Sequence, residues 1–184
     1  NQGNAAAVTT TLNGSYGSGV IVKGSGFILN NEMDDFSIQP GYPNLYGLVG
    51  GVANAIEPEK RMLSSMTPTI LEKDDELFMV VGSPGGSTII TAVLQTILNV
   101  IEFEMSMDSA VAVPRFHHQW LPDQIKMEKS IFNDSSLITQ LKKIGHHLKS
   151  VNSMNRVDAI LIENNQLYGG ADPRGDDYVA KSNK

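Results

Sequence analysis

Short apolar blocks separated by polar or glycine-rich stretches run along the whole chain, and each block predicts one element. The Val- and Thr-rich residues 5–12 predict a strand. Two apolar triplets, 20–22 and 27–29, predict two further short strands. Residues 39–58 carry several Pro and Gly without periodicity and predict a long loop. A loop of this length inside a compact domain is usually functional or disordered.

Two pairs of apolar runs are each joined by turn residues. Residues 67–71 and 77–81 flank a charged turn, which predicts a hairpin. Residues 157–163 and 166–169 flank an Asn-Asn pair and predict a second hairpin near the end of the chain.

Two stretches have helical periodicity. The first follows residue 87, and its broad apolar stripe predicts a buried face made of Ile90, Val93, Leu94, Ile97, Leu98 and Ile101. The second covers about 134–144, where Gly145 is a natural stop. Its predicted buried face consists of Leu137, Ile138, Leu141 and Ile144.

Strands outnumber helices in this pattern, and parallel β-α-β alternation is absent. The pattern therefore favours an α+β layered sandwich over a doubly wound fold. No internal repeat or second domain is evident, so we expect residues 1–184 to form one domain.

Composition narrows the functional classes. The 184 residues are 41% hydrophobic and 18% charged, as in globular proteins. The net charge of -6 argues against a nucleic-acid partner, which usually requires a basic surface. The absence of cysteine excludes disulfides and thiolate chemistry, and no apolar run has the length of a membrane span. The polar turn at 1–4 runs straight into the first apolar block, and we expect that further chain precedes it.

The glycine turn at residues 82–87, Gly-Ser-Pro-Gly-Gly-Ser, is the strongest local signal. It leaves a predicted strand and opens a predicted helix, so several backbone N–H groups converge at a positive helix end. One interpretation is a site for an oxyanion, a carboxylate or a phosphate. The other is a tight connection with Ser87 as N-cap, and the pattern fits both. No Gly-Lys-Ser/Thr follows, which argues against a nucleotide phosphate site.

Three other clusters carry polar chemistry. Residues 30–35 gather acids and amides that suit a ligand ammonium group or a hard cation, or else form a solvated turn. Ser64 and Ser65 lack the elbow motif of a nucleophilic serine. His117 and His118 are adjacent, so their side chains point apart, and we expect them to pack around Trp120 and to bind no metal. The chain thus has binding elements but no evident nucleophile–base pair.

Seven runs, in order, resemble the gamma-glutamyltranspeptidase family. They lie at 9–13, 29–36, 43–47, 60–69, 82–87, 114–122 and 168–174. The runs Ser-Ser-Met-Thr-Pro-Thr and Gly-Ser-Pro-Gly-Gly-Ser are the most specific. Met62 and Thr88 depart from the proline and the arginine that are usual in the family.

The resemblance implies an α+β, four-layer αββα sandwich of the N-terminal nucleophile hydrolase type. Such a protein matures by self-cleavage into a large and a small subunit, and this chain resembles the small one. A threonine at the start of that subunit attacks the gamma-glutamyl carbonyl. By this resemblance, the threonine is expected a short stretch before Asn1. No cofactor and no metal are implied.

The resemblance also implies residue roles. Thr11 supports the nucleophile, and the backbone N–H groups of Gly85 and Gly86 form the oxyanion hole. The substrate-binding groups are Asn13, Glu32 and Asp35 for the α-amino end, Ser64 and Ser65 for the α-carboxylate, and Tyr46 on a lid loop at about 39–51.

The implied activity is transfer or hydrolysis of the gamma-glutamyl group of glutathione and related amides. The implied partners are the large subunit of the same precursor, acceptor amino acids and water, and the implied location is periplasmic or secreted. Two alternatives stay open. One is an acylase or capsule depolymerase on the same fold, and the other is a catalytically silent binding subunit.

Overall fold

The computed structural model describes residues 3–180, which belong to two compact units. The described part of the sheet unit comprises residues 3–9, 66–118 and 123–180. The loop unit comprises residues 10–65 and 119–122. Among the residues so described, no helix is long and apolar enough to cross a membrane.

The sheet unit contains two sheets and three α-helices. Its elements are β1 (Thr69–Lys73), β2 (Glu76–Gly82), α1 (Ile89–Ile101), α2 (Met107–Ala112), β3 (Phe116–His117), β4 (Ile125–Glu128), α3 (Ser135–Lys143), β5 (Leu148–Val151), β6 (Asp158–Glu163) and β7 (Gln166–Gly170). The larger sheet has the strand order β1-β2-β6-β7, and the smaller has the order β3-β4-β5.

Both predicted hairpins are confirmed as the two halves of the larger sheet. The β1–β2 turn contains Asp74 and Asp75, at φ 55° and 63°. The β6–β7 turn contains Asn164 and Asn165, at φ 50° and 60°. Two consecutive left-handed residues give the turn whose twist matches that of the flanking strands. Asn and Asp tolerate this conformation better than most residues, which is why the turns could be located from sequence.

The core of the sheet unit lies between this sheet and helices α1 and α2. Alternate residues of β2 and β6 point into it, as the two-residue period of a strand requires. Its members include Met79, Val81, Ala92, Val111, Val157, Ala159 and Leu161.

The predicted helix α1 exists, and its predicted buried face is partly right, because Val93 is buried and Ile97 packs against the core. The buried side chains include Ala92, Val93 and Thr96, whereas Ile90 and Leu94 are 63% and 50% exposed. The Thr96 hydroxyl is fully buried and donates to the Ala92 carbonyl at 3.0 Å. The helix has one polar side, made of Thr91, Gln95 and Asn99, and an apolar arc wider than the packed face, so the 3.6-residue period alone could not identify which part of that arc packs.

The smaller sheet contains a parallel β-α-β unit that the sequence analysis did not expect. Strand β4 pairs with β5 in parallel, and α3 lies between them in the chain. The predicted stop of α3 at Gly145, with φ 99°, is confirmed. Its predicted apolar face is partly right: Ile138 and Leu141 are half-buried, whereas Leu137 and Ile144 are 37% and 71% exposed.

Helix α2 was not predicted from the sequence. It is only six residues long, too short to reveal a helical period. Ser106 caps it by accepting the Ser109 N–H at 3.4 Å. The helix nevertheless buries Met107, Ala110 and Val111 in the core.

The strand predicted at 5–12 is wrong. Exposure alternates from residue 7 to residue 12, as in an extended chain, but the segment has no ladder partner among residues 3–180. An extended segment whose one backbone contact among these residues is at its end, from the Asn31 N–H to the Leu12 carbonyl, does not form a strand, whatever its composition.

The loop unit is built from turns, isolated bridges and two short 3₁₀ helices, Glu32–Asp35 and Val52–Asn54. The predicted segments 20–22 and 27–29 do pair, through a single bridge between Ile21 and Ile28. The 39–58 stretch is mostly irregular, as predicted. The packing of the two histidines around Trp120 that the sequence predicted is wrong, because Trp120 is 70% exposed.

Candidate active site

The glycine turn connects β2 to α1 in the sheet unit. Gly85 has φ 140° and Gly86 has φ 59°, values that side-chain-bearing residues rarely adopt. A Cβ on Gly85 would also lie 2.0 Å from the Asn155 side-chain nitrogen. Both positions therefore require glycine. The turn enters a 3₁₀ segment, Gly86–Thr88, and the α1 N-cap is Thr88, not Ser87.

The carbonyl groups of this turn are held by neighbouring side chains. The Pro84 carbonyl accepts from Asn155 Nδ2 at 2.9 Å and from the Ser83 hydroxyl at 2.7 Å. The Gly85 carbonyl accepts from the Thr88 hydroxyl at 2.8 Å. Within residues 3–180, the N–H groups of Gly85 and Gly86 have no acceptor. Two adjacent N–H groups at a helix start can bind an anion or a developing oxyanion.

The acids of the loop unit lie on the 3₁₀ helix Glu32–Asp35. Because a 3₁₀ helix has three residues per turn, positions i and i+3 share a face, and Glu32 and Asp35 meet this condition. Asp35 is buried, at 9% exposure, and its Oδ2 accepts the Ser65 hydroxyl at 2.9 Å. Burial raises the pKa of Asp35 above its ordinary value of 3.8, the Ser65 hydrogen bond opposes the rise, and Asp34 adds to it. No ion pair of Asp35 occurs in the described chain.

Asn54 connects the acid turn to the serine pair. Its Nδ2 donates to the Asp35 carbonyl at 2.7 Å, and its Oδ1 accepts the Leu63 N–H at 3.1 Å. The peptide just before Ser64 and Ser65 is thereby held beside Asp35. Ser65 is half-buried and Ser64 is exposed. Asn54 was not predicted as a site residue, because nothing in the sequence around it indicates a contact with either segment.

The segment around Asn13 is held in a turn by amide and hydroxyl groups. The Thr11 hydroxyl accepts the Asn13 N–H at 2.8 Å, and Asn13 has φ 68°. Asn13 Nδ2 donates to the Asn31 carbonyl at 3.2 Å, next to the acid turn. The Tyr46 hydroxyl donates to the Asn13 carbonyl at 2.6 Å. Tyr46 and Asn13 are therefore in contact, through the backbone of Asn13.

The loop unit thus brings several predicted site residues into hydrogen-bond contact. Asp35 contacts Ser65, and Thr11 and Tyr46 both contact Asn13. Glu32 and Ser64 are neighbours of this set along the chain. Gly85 and Gly86 belong to the sheet unit. The catalytic and binding roles of all nine residues stay predictions.

The sheet unit also contains a buried ionic network that the sequence did not reveal. Arg115 Nη2 donates to Asp172 Oδ2 at 2.7 Å, and both side chains are almost fully buried. Arg174 donates to Glu128 through Nε and Nη2, at 2.7 and 2.6 Å, and to Asp172 Oδ1 at 3.0 Å. The Val157 N–H also donates to Asp172, and the N–H groups of Met154 and Arg115 donate to Glu128.

The network stabilises the ionised carboxylates. Burial acts to raise the pKa of Asp172 and of Glu128, but hydrogen bonds from backbone N–H groups and arginines outweigh it, so both pKa values lie below their ordinary values. Every oxygen of this cluster is engaged, which suits a structural role better than ligand binding.

The adjacent histidines 117 and 118 contact separate partners. Within the described ranges, no group of three or more His, Asp or Glu is arranged to hold a metal ion. His117 is buried and its Nδ1 lies 2.8 Å from the Thr91 hydroxyl, while His118 Nε2 lies 3.1 Å from Asp123. Their side chains point to different partners, as adjacent residues of a strand should.

Comparison with known proteins identifies the family. The family model for gamma-glutamyltranspeptidase matches residues 1–182. The chain belongs to the gamma-glutamyltranspeptidase family.

Relatives and solved structures agree with this assignment. The glutathione hydrolase proenzyme of Escherichia coli is 49% identical over 180 residues, which are 97% of this chain and 31% of that protein. The chain spans about a third of the length of the curated relatives it matches. The Helicobacter pylori gamma-glutamyltranspeptidase T380A mutant is 54% identical, with a TM-score of 0.89 and coverage of 94% and 95% of the two chains. The W525D mutant of the Pseudomonas nitroreducens gamma-glutamyltranspeptidase is 44% identical, with a TM-score of 0.92 and coverage of 99% and 95%.

The predicted fold class is confirmed by this likeness and by the combination of helices and sheets in the chain. It is the α+β sandwich of the N-terminal nucleophile hydrolases. The resemblance inferred from the seven sequence runs is confirmed as well.

Proposed function

We propose that this chain binds and orients the gamma-glutamyl group of glutathione and related amides within an enzyme that transfers the group to water or to an amine. The observation that carries the proposal is Asp35, a buried carboxylate with a hydroxyl partner and no cation of its own in the described chain. A ligand ammonium group would supply the missing positive charge. Glu32, on the same side of the 3₁₀ turn, adds a second negative charge for it.

Ser64 and Ser65 are proposed to hold the substrate α-carboxylate. The Ser65 hydroxyl carries one proton, which it donates to Asp35 in this structure. Once an ammonium group neutralises Asp35, that proton is free to turn toward a carboxylate. The two ends of an amino acid would therefore be recognised together, which favours a gamma-glutamyl group over an acyl group that lacks the α-amino and α-carboxyl substituents.

For the chemistry, we propose an acyl-enzyme on the small-subunit threonine that the family resemblance implies. Its hydroxyl oxygen attacks the gamma-carbonyl carbon, and its proton passes to the base, the free α-amino group of the same threonine or a water. The N–H groups of Gly85 and Gly86 stabilise the oxyanion. Collapse expels the amine with the proton, and water or an acceptor amine then releases the gamma-glutamyl group.

The large subunit of the same precursor is the proposed partner. Helix α1 exposes a second apolar stripe, made of Ile90, Leu94, Leu98 and Ile101, beside its packed face. A contiguous exposed apolar stripe usually marks a surface that contacts another protein. Changing Leu94 to Arg should weaken the association of the two mature subunits during size-exclusion chromatography, while the exposed polar change Lys142→Gln should have no effect.

The function is tested with the mature two-subunit enzyme. We expect release of the chromogenic amine from a gamma-glutamyl anilide and little release from the matched glutaryl anilide, which lacks the α-amino group. Preference for the glutaryl compound would favour an acylase on the same fold. Release from neither compound would contradict the proposal and favour a silent binding subunit. The periplasmic or secreted location implied by the resemblance remains a prediction for fractionation of the source cells.

A further inference from the structure

The lid tyrosine lies on a turn that is held partly by the loop itself. Asn44 Oδ1 accepts the N–H groups of Tyr46 and Leu48 at 3.0 and 2.9 Å. The Gly47 N–H donates to the Asn44 carbonyl at 2.9 Å. These contacts shape the turn, but none of them ties it to the rest of the loop unit.

Two side chains outside the turn supply that attachment. Asp34 Oδ2 accepts the Leu45 N–H at 2.9 Å. Gln119 Nε2 donates to the Tyr46 carbonyl at 3.0 Å and to the Leu121 carbonyl at 2.8 Å. The peptide groups before and after the Tyr46 side chain are thus held from two separate segments of the chain.

Gly47 makes the Gln119 contact possible. A Cβ at this position would lie 3.3 Å from Gln119 Nε2, closer than most Cβ contacts, and the residue has φ 78°. Glycine therefore serves both the left-handed turn and the close approach of the glutamine amide. Neither Asp34 nor Gln119 was assigned a role from the sequence.

We propose that Asp34 and Gln119 are positioning residues, which hold the peptide groups around Tyr46 so that its hydroxyl reaches the Asn13 carbonyl and the lid stays closed over the gamma-glutamyl site. This inference rests on the proposed function only for what the lid covers. Neighbouring acids then have different tasks, since Asp35 faces the ligand and Asp34 holds the lid.

The proposal is tested first without activity, by hydrogen exchange of peptides covering residues 43–49 in the mature enzyme. Gln119→Leu and Asp34→Ala should each speed exchange there by about five- to tenfold, as expected for one lost hydrogen bond. Asp34→Asn is the matched control, because its amide oxygen can still accept the Leu45 N–H, and it should exchange like the wild type. Unchanged exchange in both Gln119→Leu and Asp34→Ala would overturn the proposal.

The second readout is the split between KM and kcat for a gamma-glutamyl anilide. Gln119→Leu should raise KM by about five- to tenfold with a smaller change in kcat, since it removes one hydrogen bond that favours the closed lid. In a Tyr46→Ala background, Gln119→Leu should add nothing, because residues that act through one another are not additive. Fully additive effects on KM would overturn the proposal.

The two readouts separate this inference from the proposed function. A wild-type enzyme inactive on gamma-glutamyl compounds, with faster exchange in the variants, would reject the proposed function and support the positioning roles. An active wild-type enzyme, with unchanged exchange in the variants, would support the proposed function and reject the positioning roles. A circular dichroism melt of each variant identifies any that is unfolded. If Gln119→Leu is unfolded, Gln119→Glu takes its place, because it replaces the amide donor by a carboxylate that faces two carbonyls and should also speed exchange at residues 43–49.

Discussion

Two sets of buried carboxylates in this chain have opposite surroundings. Glu128 and Asp172 in the sheet unit are each bonded by arginines and backbone N–H groups. Asp35 in the loop unit is also buried but is bonded by one hydroxyl, and its pKa is raised where theirs are lowered. Burial alone therefore does not distinguish a structural acid from a binding one. What distinguishes the two kinds of acid is whether the chain itself supplies a positively charged partner.

The largest expected effect is on the network. Asp172→Ala leaves Arg115 buried without its counter-ion, and we expect a loss of about 3–5 kcal/mol in the free energy of unfolding. Urea unfolding of the mature protein measures it. The matched control is Asp176→Ala, which breaks an exposed ion pair with Arg156 and should leave stability unchanged. Equal small losses in both variants would mean that the buried network contributes no more than a surface pair.

A smaller effect is expected on binding at the other acid. Asp35→Ala removes the partner proposed for the ligand ammonium group, and a hydrogen bond to a charged group contributes about 1.5–3 kcal/mol. KM for a gamma-glutamyl anilide should rise about 10- to 100-fold, whereas KM for the glutaryl analogue should change little. The two KM values, measured side by side, decide the point. A similar rise in KM for both substrates would show that Asp35 shapes the site without binding the α-amino group.

The hairpins and the glycine turn were predictable because their signals are local. Asp74-Asp75 and Asn164-Asn165 are residues that tolerate the left-handed turns they occupy. The same holds for the two consecutive glycines at 85 and 86, because glycine has no Cβ and adopts their positive φ values readily.

The ionic network and the acid surroundings were not predictable from local signals. Arg115 and Asp172 are 57 residues apart in the chain. Nothing in either segment indicates the other, so only the fold could reveal the pair. The acidic cluster at 30–35 was visible, but the different contacts of Asp34 and Asp35 depend on the 3₁₀ turn. The packed face of α1 was only partly predicted for another reason, since the apolar arc of this helix is wider than the face that packs.

The pH dependence of binding should distinguish Asp35 from an ordinary surface aspartate. Burial raises its pKa above 3.8, so protonation and loss of ammonium binding set in at a higher pH than for a free carboxyl group. KM for a gamma-glutamyl anilide should therefore rise on acidification in the wild type. In Asp35→Asn, the KM for the gamma-glutamyl compound should be high and flat. A wild-type KM that changes only near the ordinary pKa would contradict the assignment.

The smallest expected effect concerns stability without ligand, and its sign is opposite for the two sets of acids. Asp35 has a raised pKa when folded, so between its unfolded and folded pKa the folded state binds more protons, and stability falls as the pH rises through that window. Asp172 has a lowered pKa when folded, so its contribution is fully present above 3.8 and is lost as the pH falls through the folded pKa.

Asp35→Asn should consequently equal the wild type in stability at low pH and exceed it slightly at neutral pH, as measured by urea unfolding at both values. Saturating glutamate should reduce this difference, because its ammonium group compensates the buried charge only in the wild type. Asp172→Asn should show the reverse trend, with its deficit growing toward neutral pH. If Asp35→Asn were the less stable protein at neutral pH, the Asp35 carboxylate would already be stabilised within the folded protein. Asp35 would then not differ from Glu128 and Asp172, whose positive partners come from the chain itself.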